Sequence, residues 1–556
     1  MNSRPCGWTA AAVLTACSAF TDSAQAAVIT GDTTTIVART GQASPDGGPG
    51  TFQRFAAPTL NNVGQAGFLA TLGGVGVDES NNGGVYRGDG RSPIVQIARE
   101  GQAPADGPGL FTRFGNTFNF QSQGTDFGYG VVLNDAGQAA FRGSLGGRGV
   151  NANNDEGFYR GDGSAAPTQL VREGQVPDSG PGVITGLGFL EPGFNRSGDA
   201  LFLATLGGMG VDATNDRGLY RGDGVFAPIE IARKGQALAS GPGVILDFNA
   251  ALQSDFNSLG QTVFQVTLGG DGVTAANDEG IYLGDGTTAF VEIARKGQAP
   301  SGGTGTLTSL FPAAQLNDAG QVAYGGRVAG DGITSFDGEG IYLSNGTAAG
   351  TIEVARTGQA PASGPGTFRS FEGPFLNNAG QTAFNVEFSG SNVDLYNRGS
   401  IYRGDGAALT QIVRAGDAAP TSDGGFEGSF LILDEPILND LGQIAFLAEI
   451  DLQDIGNPFG QFGIFFHDDA LGLLSVARAG DALDGSTINS LYLSNGLRQP
   501  SGSVGLNNLG QVAYSYTLTD GRSGVAIWSS TPVPEPTSLA LIGLTGMTLL
   551  RRRAVA

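Results

Sequence analysis

A nine-residue string, Leu316-Asn317-Asp318-Ala319-Gly320-Gln321-Val322-Ala323-Tyr324, returns eight times along the chain with small changes. Its anchor asparagines are Asn61, Asn134, Asn195, Asn257, Asn317, Asn377, Asn439 and Asn507, at spacings of 73, 61, 62, 60, 60, 62 and 68 residues. Self-similarity at this period means a supersecondary unit that cannot bury its apolar face alone and stacks against copies of itself. A chain of 556 residues built this way can be one domain, where length alone would suggest several.

Each unit holds four short extended segments. Around Asn317 they are Phe290–Arg295, Leu307–Leu316, Gln321–Val328 and Gly340–Leu343. All are rich in β-branched and aromatic residues and bounded by Gly, Asn, Asp or Pro, the pattern of strands. Between the two chain ends no stretch keeps a helical period, so the mature protein is expected to be all-β.

Turns account for the 94 glycines. In Asn317-Asp318-Ala319-Gly320 the asparagine side chain can cap a type I turn while Gly320 takes the left-handed position that closes a hairpin. Gly-Asp-Gly, as at Gly284-Asp285-Gly286, makes a second tight hairpin. The two remaining connections are long. One begins Gly297-Gln298-Ala299-Pro300; the other runs from Leu268 to Asp278.

Four antiparallel strands per unit and eight units predict an eight-bladed β-propeller over residues 27–530, with an open β-solenoid as the alternative. Blades stack face to face. The small Ala323 can then receive a large side chain from one neighbour while Tyr324 fills the gap on the other side. Tight hairpins cannot be the crossovers between blades, so a long loop must be. If it is the Gly-Gln-Ala-Pro loop, the last blade lacks a strand. Val28–Asp32 and Thr35–Arg39 at the N-terminus can supply it and remove an exposed edge.

The ladder of Asn-x-x-Gly-x-x-Ala-Phe motifs resembles the NxxGxxAF tandem-repeat proteins. Gly67, Leu201 and Val263 depart from it at the alanine position; Tyr324 and Tyr514 do so at the aromatic one. The resemblance implies an extracellular location and no particular activity.

Both ends read as addresses. Residues 1–26 have the plan of a secretory signal: Arg4, an apolar run from Trp8 to Leu14, then Ala24-Gln25-Ala26, with cleavage expected between Ala26 and Ala27. Leu14-Thr15-Ala16-Cys17 also has the form of a lipobox, which would lipidate Cys17. Residues 531–556 carry Val533-Pro534-Glu535-Pro536, an apolar stretch from Thr537 to Leu550, and Arg551-Arg552-Arg553. Fourteen apolar residues are short for a membrane helix, which needs about 20; the arginines would hold its end on the cytoplasmic side. This ending resembles the PEP-CTERM sorting signal of exopolysaccharide-producing Gram-negative bacteria. The resemblance implies that an exosortase recognises Pro534, Glu535 and Pro536 and removes the tail during transfer to the cell surface or extracellular matrix. Partners during export would be that enzyme and signal peptidase, with membrane contact through the tail only until processing.

Chemistry between the ends is sparse. Cys6 and Cys17 precede the expected cleavage, so the mature chain has no thiol. His467, beside Asp468 and Asp469, is the one histidine and reads as a loop substitution. A net charge of −22 disfavours nucleic acid. Arg-Gly-Asp recurs at Arg87, Arg160, Arg221 and Arg403. Equivalent places read Leu283-Gly284-Asp285 and Leu343-Ser344-Asn345, which makes the tripeptide hairpin chemistry rather than an adhesion signal. An arginine ends the first segment of every unit: Arg39, Arg99, Arg172, Arg233, Arg295, Arg356, Arg414 and Arg478. Such a ring could hold a polyanion. Asp155, Asp216 and Asp278, each 17 residues before its arginine, favour cross-strand ion pairs instead. Acids in the long loops (Asp78-Glu79, Asp155-Glu156, Asp212, Asp216, Asp278-Glu279, Asp337, Glu339) lack a regular D-x-D-x-D-G spacing. No cofactor or metal is assigned; calcium is the cation such loops would suit.

The expectation is an exported surface or matrix protein without catalytic residues, structural or binding in role, with exopolysaccharide as a candidate partner. Its rival is a secreted carbohydrate-active enzyme using loop carboxylates. The lengthened second unit, from Phe111 to Tyr129, and the insertion before Asn507 are where asymmetry would show such a site.

Overall fold

The computed structural model describes residues 33–530, apart from 116–129, 189–192, 250–255, 453–459, 495–503 and positions 302, 313, 335 and 362. Two of the excepted segments fall in the lengthened second unit and the insertion before Asn507. Both ends of the chain, with the expected signal, Cys17 and the Pro-Glu-Pro tail, also lie outside the described residues.

The described chain is all-β. Eight antiparallel sheets form an eight-bladed propeller. We number the blades by their anchors, blade 1 holding Asn61 and blade 8 holding Asn507. Blade 5 shows the plan. Its inner strand, Thr306–Leu310 resumed at Gln315–Leu316, runs to Asn317; Val322–Ala329, Glu339–Ser344 and the outer Thr351–Arg356 follow in spatial as in chain order. The crossover to the next blade is therefore the Gly-Gln-Ala-Pro loop.

Ring closure follows from that phase. Thr33–Arg39 pairs antiparallel with Ser523–Ser529 and becomes the outer strand of blade 8. Val28–Asp32, the other half of the expected closing segment, lies outside the described residues. The N-terminal strand copies the other outer strands in detail. Each carries one bulge, at Val354 opposite Ile341/Tyr342 in blade 5 and at Val37 in the closing strand, which adds local twist. Arg39 and Arg522 both bind the Asp484 carboxylate, at 2.5 and 2.8 Å, across the closure.

Cores lie between blades, and the repeat motif sits in two of them. Tyr324 packs in the cluster shared with blade 4, among Val263, Ile281 and Ile293. Ala323 packs in the next cluster, with Phe384 and Tyr402 of blade 6. A large residue at position 323 would meet those rings. Within blade 5, Tyr324 stacks on Tyr342 with centroids 5.3 Å apart; blade 6 repeats this with Phe384 and Tyr402, an arrangement that adds to burial alone.

The blade plan gives the disc two unlike faces. Val322 pairs with Ser344, so the Asn-x-x-Gly turns and the Gly-Asp-Gly hairpins share one face, here the ring face. The long hairpin loops and the arginine-bearing strand ends share the other, the loop face.

Candidate functional site

The anchor asparagine of blade 5 makes a complete set of bonds. The Oδ1 of Asn317 accepts from the amides of Ala319 and Gln321, at 3.1 and 2.9 Å. Its Nδ2 donates to Gln321 Oε1 at 2.7 Å and to the main-chain carbonyl of Asn377 in the next blade at 3.0 Å. Gly320, at φ 78°, closes the turn as its sequence predicts. An aspartate could not fill this place, because the side chain must both accept and donate.

The bond to the next blade repeats around the axis. Asn61 reaches Asn134, Asn195 reaches Asn257, Asn257 reaches Asn317, Asn377 reaches Asn439, Asn439 reaches Asn507, and Asn507 returns to Asn61. With the Asn317 link, seven of eight steps are in place among the described residues.

A second ring lies beside the first, made by the residue after each anchor: Asn62, Asp135, Arg196, Ser258, Asp318, Asn378, Asp440 and Asn508. Six steps have the same form. The amide of Asn62 donates to Asp135, Ser258 to Asp318, Asp318 to Asn378, Asn378 to Asp440, Asp440 to Asn508 and Asn508 to Asn62, all at 2.8–2.9 Å. Blade 3 breaks the series, since a guanidinium has no acceptor. Arg196 instead reaches Asp135 at 3.5 Å and Asp318 at 3.7 Å.

Together the rings form the mouth of a cavity of about 210 Å³ on the propeller axis. Below them it is lined by Leu60, Leu133, Phe194, Phe256, Leu316, Leu376, Leu438 and Leu506. On sequence alone the Asn-x-x-Gly turn is purely structural, and function is to be sought at the far end of the strands. The structure makes the turn structural and also sets it around the axial mouth. One signal was available, since the residue after every anchor is polar.

The strand-end arginines do not make the expected aspartate pairs. Nε of Arg172, Arg233 and Arg295 donates to the carbonyls of Asn154, Asn215 and Asn277 at 2.5, 2.8 and 3.0 Å. Their terminal nitrogens bind Pro108, Pro181 and Pro242 carbonyls at 2.8–3.0 Å. The aspartates turn to the residue one position on: Lys234 binds Asp216 at 2.7 Å and Lys296 binds Asp278 at 2.6 Å. Neighbouring strand residues face opposite ways, and the lysine, not the arginine, shares the aspartate's face. Arg295 is 2% exposed. These guanidinium groups are buried ties between main-chain segments rather than a surface for a polyanion.

Blade 2 has the aspartate without the lysine. Glu173 stands where Lys234 stands in blade 3. Burial, with the Glu156 and Asp155 carboxylates beside it, pushes its carboxyl up to about 7.

The Arg-Gly-Asp segments serve the hairpins. Asp162 and Asp405 each accept amides two residues on, from Ser164 and Ala407, at 2.8 and 2.9 Å. Arg160 donates to the Gly198 carbonyl of the next blade at 2.6 Å, and Arg87 and Arg403 reach Gly137 and Gly442 likewise. In the long loops, Asp78 and Asp212 accept from Ser80 and Thr214, bonds that hold their carboxyls below the usual range. Among the described residues no group of three or more metal-ligating side chains is gathered.

His467 does not lie in a loop. It sits in the strand Gln461–Asp468, paired with Ile444, where the equivalent pair in blade 1 is Gly88 and Ala66. Burial lowers its pKa, and its Nδ1 has no hydrogen-bond partner. No helix among the described residues is long and apolar enough to cross a membrane.

Several solved structures are similar to the chain at low identity. An oligogalacturonate lyase in complex with manganese is 13% identical, with a TM-score of 0.35, over 72% of this chain and 87% of that one. The β-propeller domain of the Trilobed protease from Pyrococcus furiosus is 9% identical, TM-score 0.36, over 78% and 100%. A PL25 ulvan lyase is 10% identical, TM-score 0.28, over 84% and 90%. Likeness at this level carries nothing about activity. No curated protein matches the chain. One family model matches nearly its whole length, at residues 7–256 and 247–540. The chain belongs to that family, described as a family of unknown function (DUF7453).

Proposed function

We propose that this chain is an exported bacterial surface or extracellular-matrix propeller with a structural or binding role and no catalytic one. The observation that supports it most is how the polar side chains are used. Ring carboxylates and amides are spent on neighbouring blades, the buried strand-end arginines on main-chain carbonyls, and the acids Asp78 and Asp212 on their own turns. A catalytic group needs a free proton or lone pair aimed at a substrate. The sorting-signal resemblance supplies the location, and exopolysaccharide is the partner it implies.

Two experiments test this reading. Cells with and without the exosortase are fractionated; an intact C-terminal tail persisting equally in both ends the sorting proposal. The protein is then screened against glycans, including the host's own exopolysaccharide. Binding without turnover is expected, whereas turnover of any glycan establishes the rival, a carbohydrate-active enzyme.

A further inference from the structure

Both ends of the propeller leave from one place. Thr33 pairs with Ser529, and Ser529 pairs with Gln511, four residues beyond the ring asparagine Asn507. The first and last strands thus meet the rest of the chain at the ring face of blade 8. The connection beyond Ser530 is short. Six residues, 531–536, separate it from the apolar stretch that begins at Thr537. Fully extended, they span about 20 Å.

The opposite face stands farther off. A strand of eight residues such as Gln511–Leu518 rises about 27 Å from one face to the other. The loop face also carries the most exposed apolar side chains of the described residues, Val75 at 96% and Met209 at 95%. Both sit at the same position of the long loop, in blades 1 and 3.

We infer that, while held through its C-terminal apolar stretch, the propeller stands with the asparagine-ring face and its axial mouth toward the membrane and the loop face outward. The loop face is then the surface that meets macromolecular partners, and the axial mouth is screened from them. This rests on the tail acting as a tether, as proposed above. Its own content is the direction, which comes from the strand register alone.

The test uses single cysteines. Met209→Cys marks the loop face, and Ala379→Cys, an exposed position of the Asn377 turn, marks the ring face. Each full-length chain is reacted with a bulky, membrane-impermeant polyethylene-glycol maleimide, on cells of a strain lacking the exosortase whose outer membrane has been opened (spheroplasts), and after release in detergent. The parent chain gives the background from Cys6 and Cys17. On cells the ring-face cysteine should label at least about tenfold more slowly than the loop-face cysteine, and in detergent the two should match. A flexible Gly/Ser insertion of about 30 residues after Ser530, which extends the reach severalfold, should abolish the difference. Equal labelling on cells, or a difference that survives the insertion, overturns the orientation while leaving the tether intact. Failure of both cysteines to label on cells, with labelling after release, overturns the surface tether and the orientation with it.

Discussion

The side-chain amide of Asn507 donates to the main-chain carbonyl of Asn61, 446 residues earlier, at 2.9 Å. That bond closes a ring of asparagines in which, among the described residues, seven of eight blades are held by the turn of the one before. The same ring helps set the axial mouth, so stability and the shape of that mouth depend on the same asparagines.

The asparagine needs both of its functional atoms. Asn317→Ala should lower stability by about 1–3 kcal/mol, because it leaves buried main-chain groups unpaired. Asn317→Asp should be worse at neutral pH, since a carboxylate would face Gln321 Oε1 and the Asn377 carbonyl. It should recover relative to alanine as acidification protonates it. Thermal melts at pH 7 and pH 4.5 decide this; an aspartate variant as stable as wild type at pH 7 would refute the donor role.

Closure by the N-terminal strand predicts that removing residues 33–39 exposes the Ser523–Ser529 edge. The truncated protein should melt several degrees lower and self-associate with rising concentration. Scanning calorimetry with light scattering is the measurement. Unchanged melting in a monodisperse sample would mean that the strand is dispensable.

Glu173 should make blade 2 sensitive to pH. Its folded pKa is raised to about 7, from an ordinary value near 4.5. The folded state therefore holds more protons between those values, and stability falls as pH rises through that window. Glu173→Lys should reproduce the Lys234–Asp216 pair of blade 3 with Asp155 as partner. It should raise the melting temperature by a few degrees at pH 8 and less at pH 5. A gain that is equal at both pH values would discount the charge argument.

Two glycines separate backbone strain from crowding. At Gly320 an added Cβ would meet nothing nearer than Gln261 Oε1 at 3.6 Å, so Gly320→Ala should cost only the left-handed penalty of about 1–2 kcal/mol. At Gly182, also at positive φ, the added carbon would lie 2.4 Å from Val211 Cγ2 and 2.8 Å from the Gly207 carbonyl. Urea unfolding should show a clearly larger loss for Gly182→Ala than for Gly320→Ala. The reverse order would contradict the crowding at Gly182.

The Arg-Gly-Asp segments should behave as struts. Arg160→Gln removes the charged donor to the Gly198 carbonyl and is expected to cost stability, about 1–3 kcal/mol for a charge-assisted bond. Adhesion of integrin-bearing cells should be the same low value for wild type and variant. Adhesion that depends on Arg160 would restore the signalling reading.

The sequence by itself determined the repeat, the strands and the tight turns, because these rest on local chemistry: period, turn residues and alternation. It offered the closing strand for one of two blade phases, the one with the Gly-Gln-Ala-Pro loop as crossover, and the pairing of Thr33–Arg39 with Ser523–Ser529 decided that phase. Three further things were decided only by the tertiary structure. The asparagine ring needed the turns of successive blades to meet at an axis, which no spacing along the chain expresses. The arginines went to carbonyls rather than to Asp155, Asp216 and Asp278, because which side of a bulged strand a residue faces is set by register, and a shift of one residue reverses it. The common face of Thr33, Ser529 and Asn507 arose the same way, from pairing between residues hundreds of positions apart.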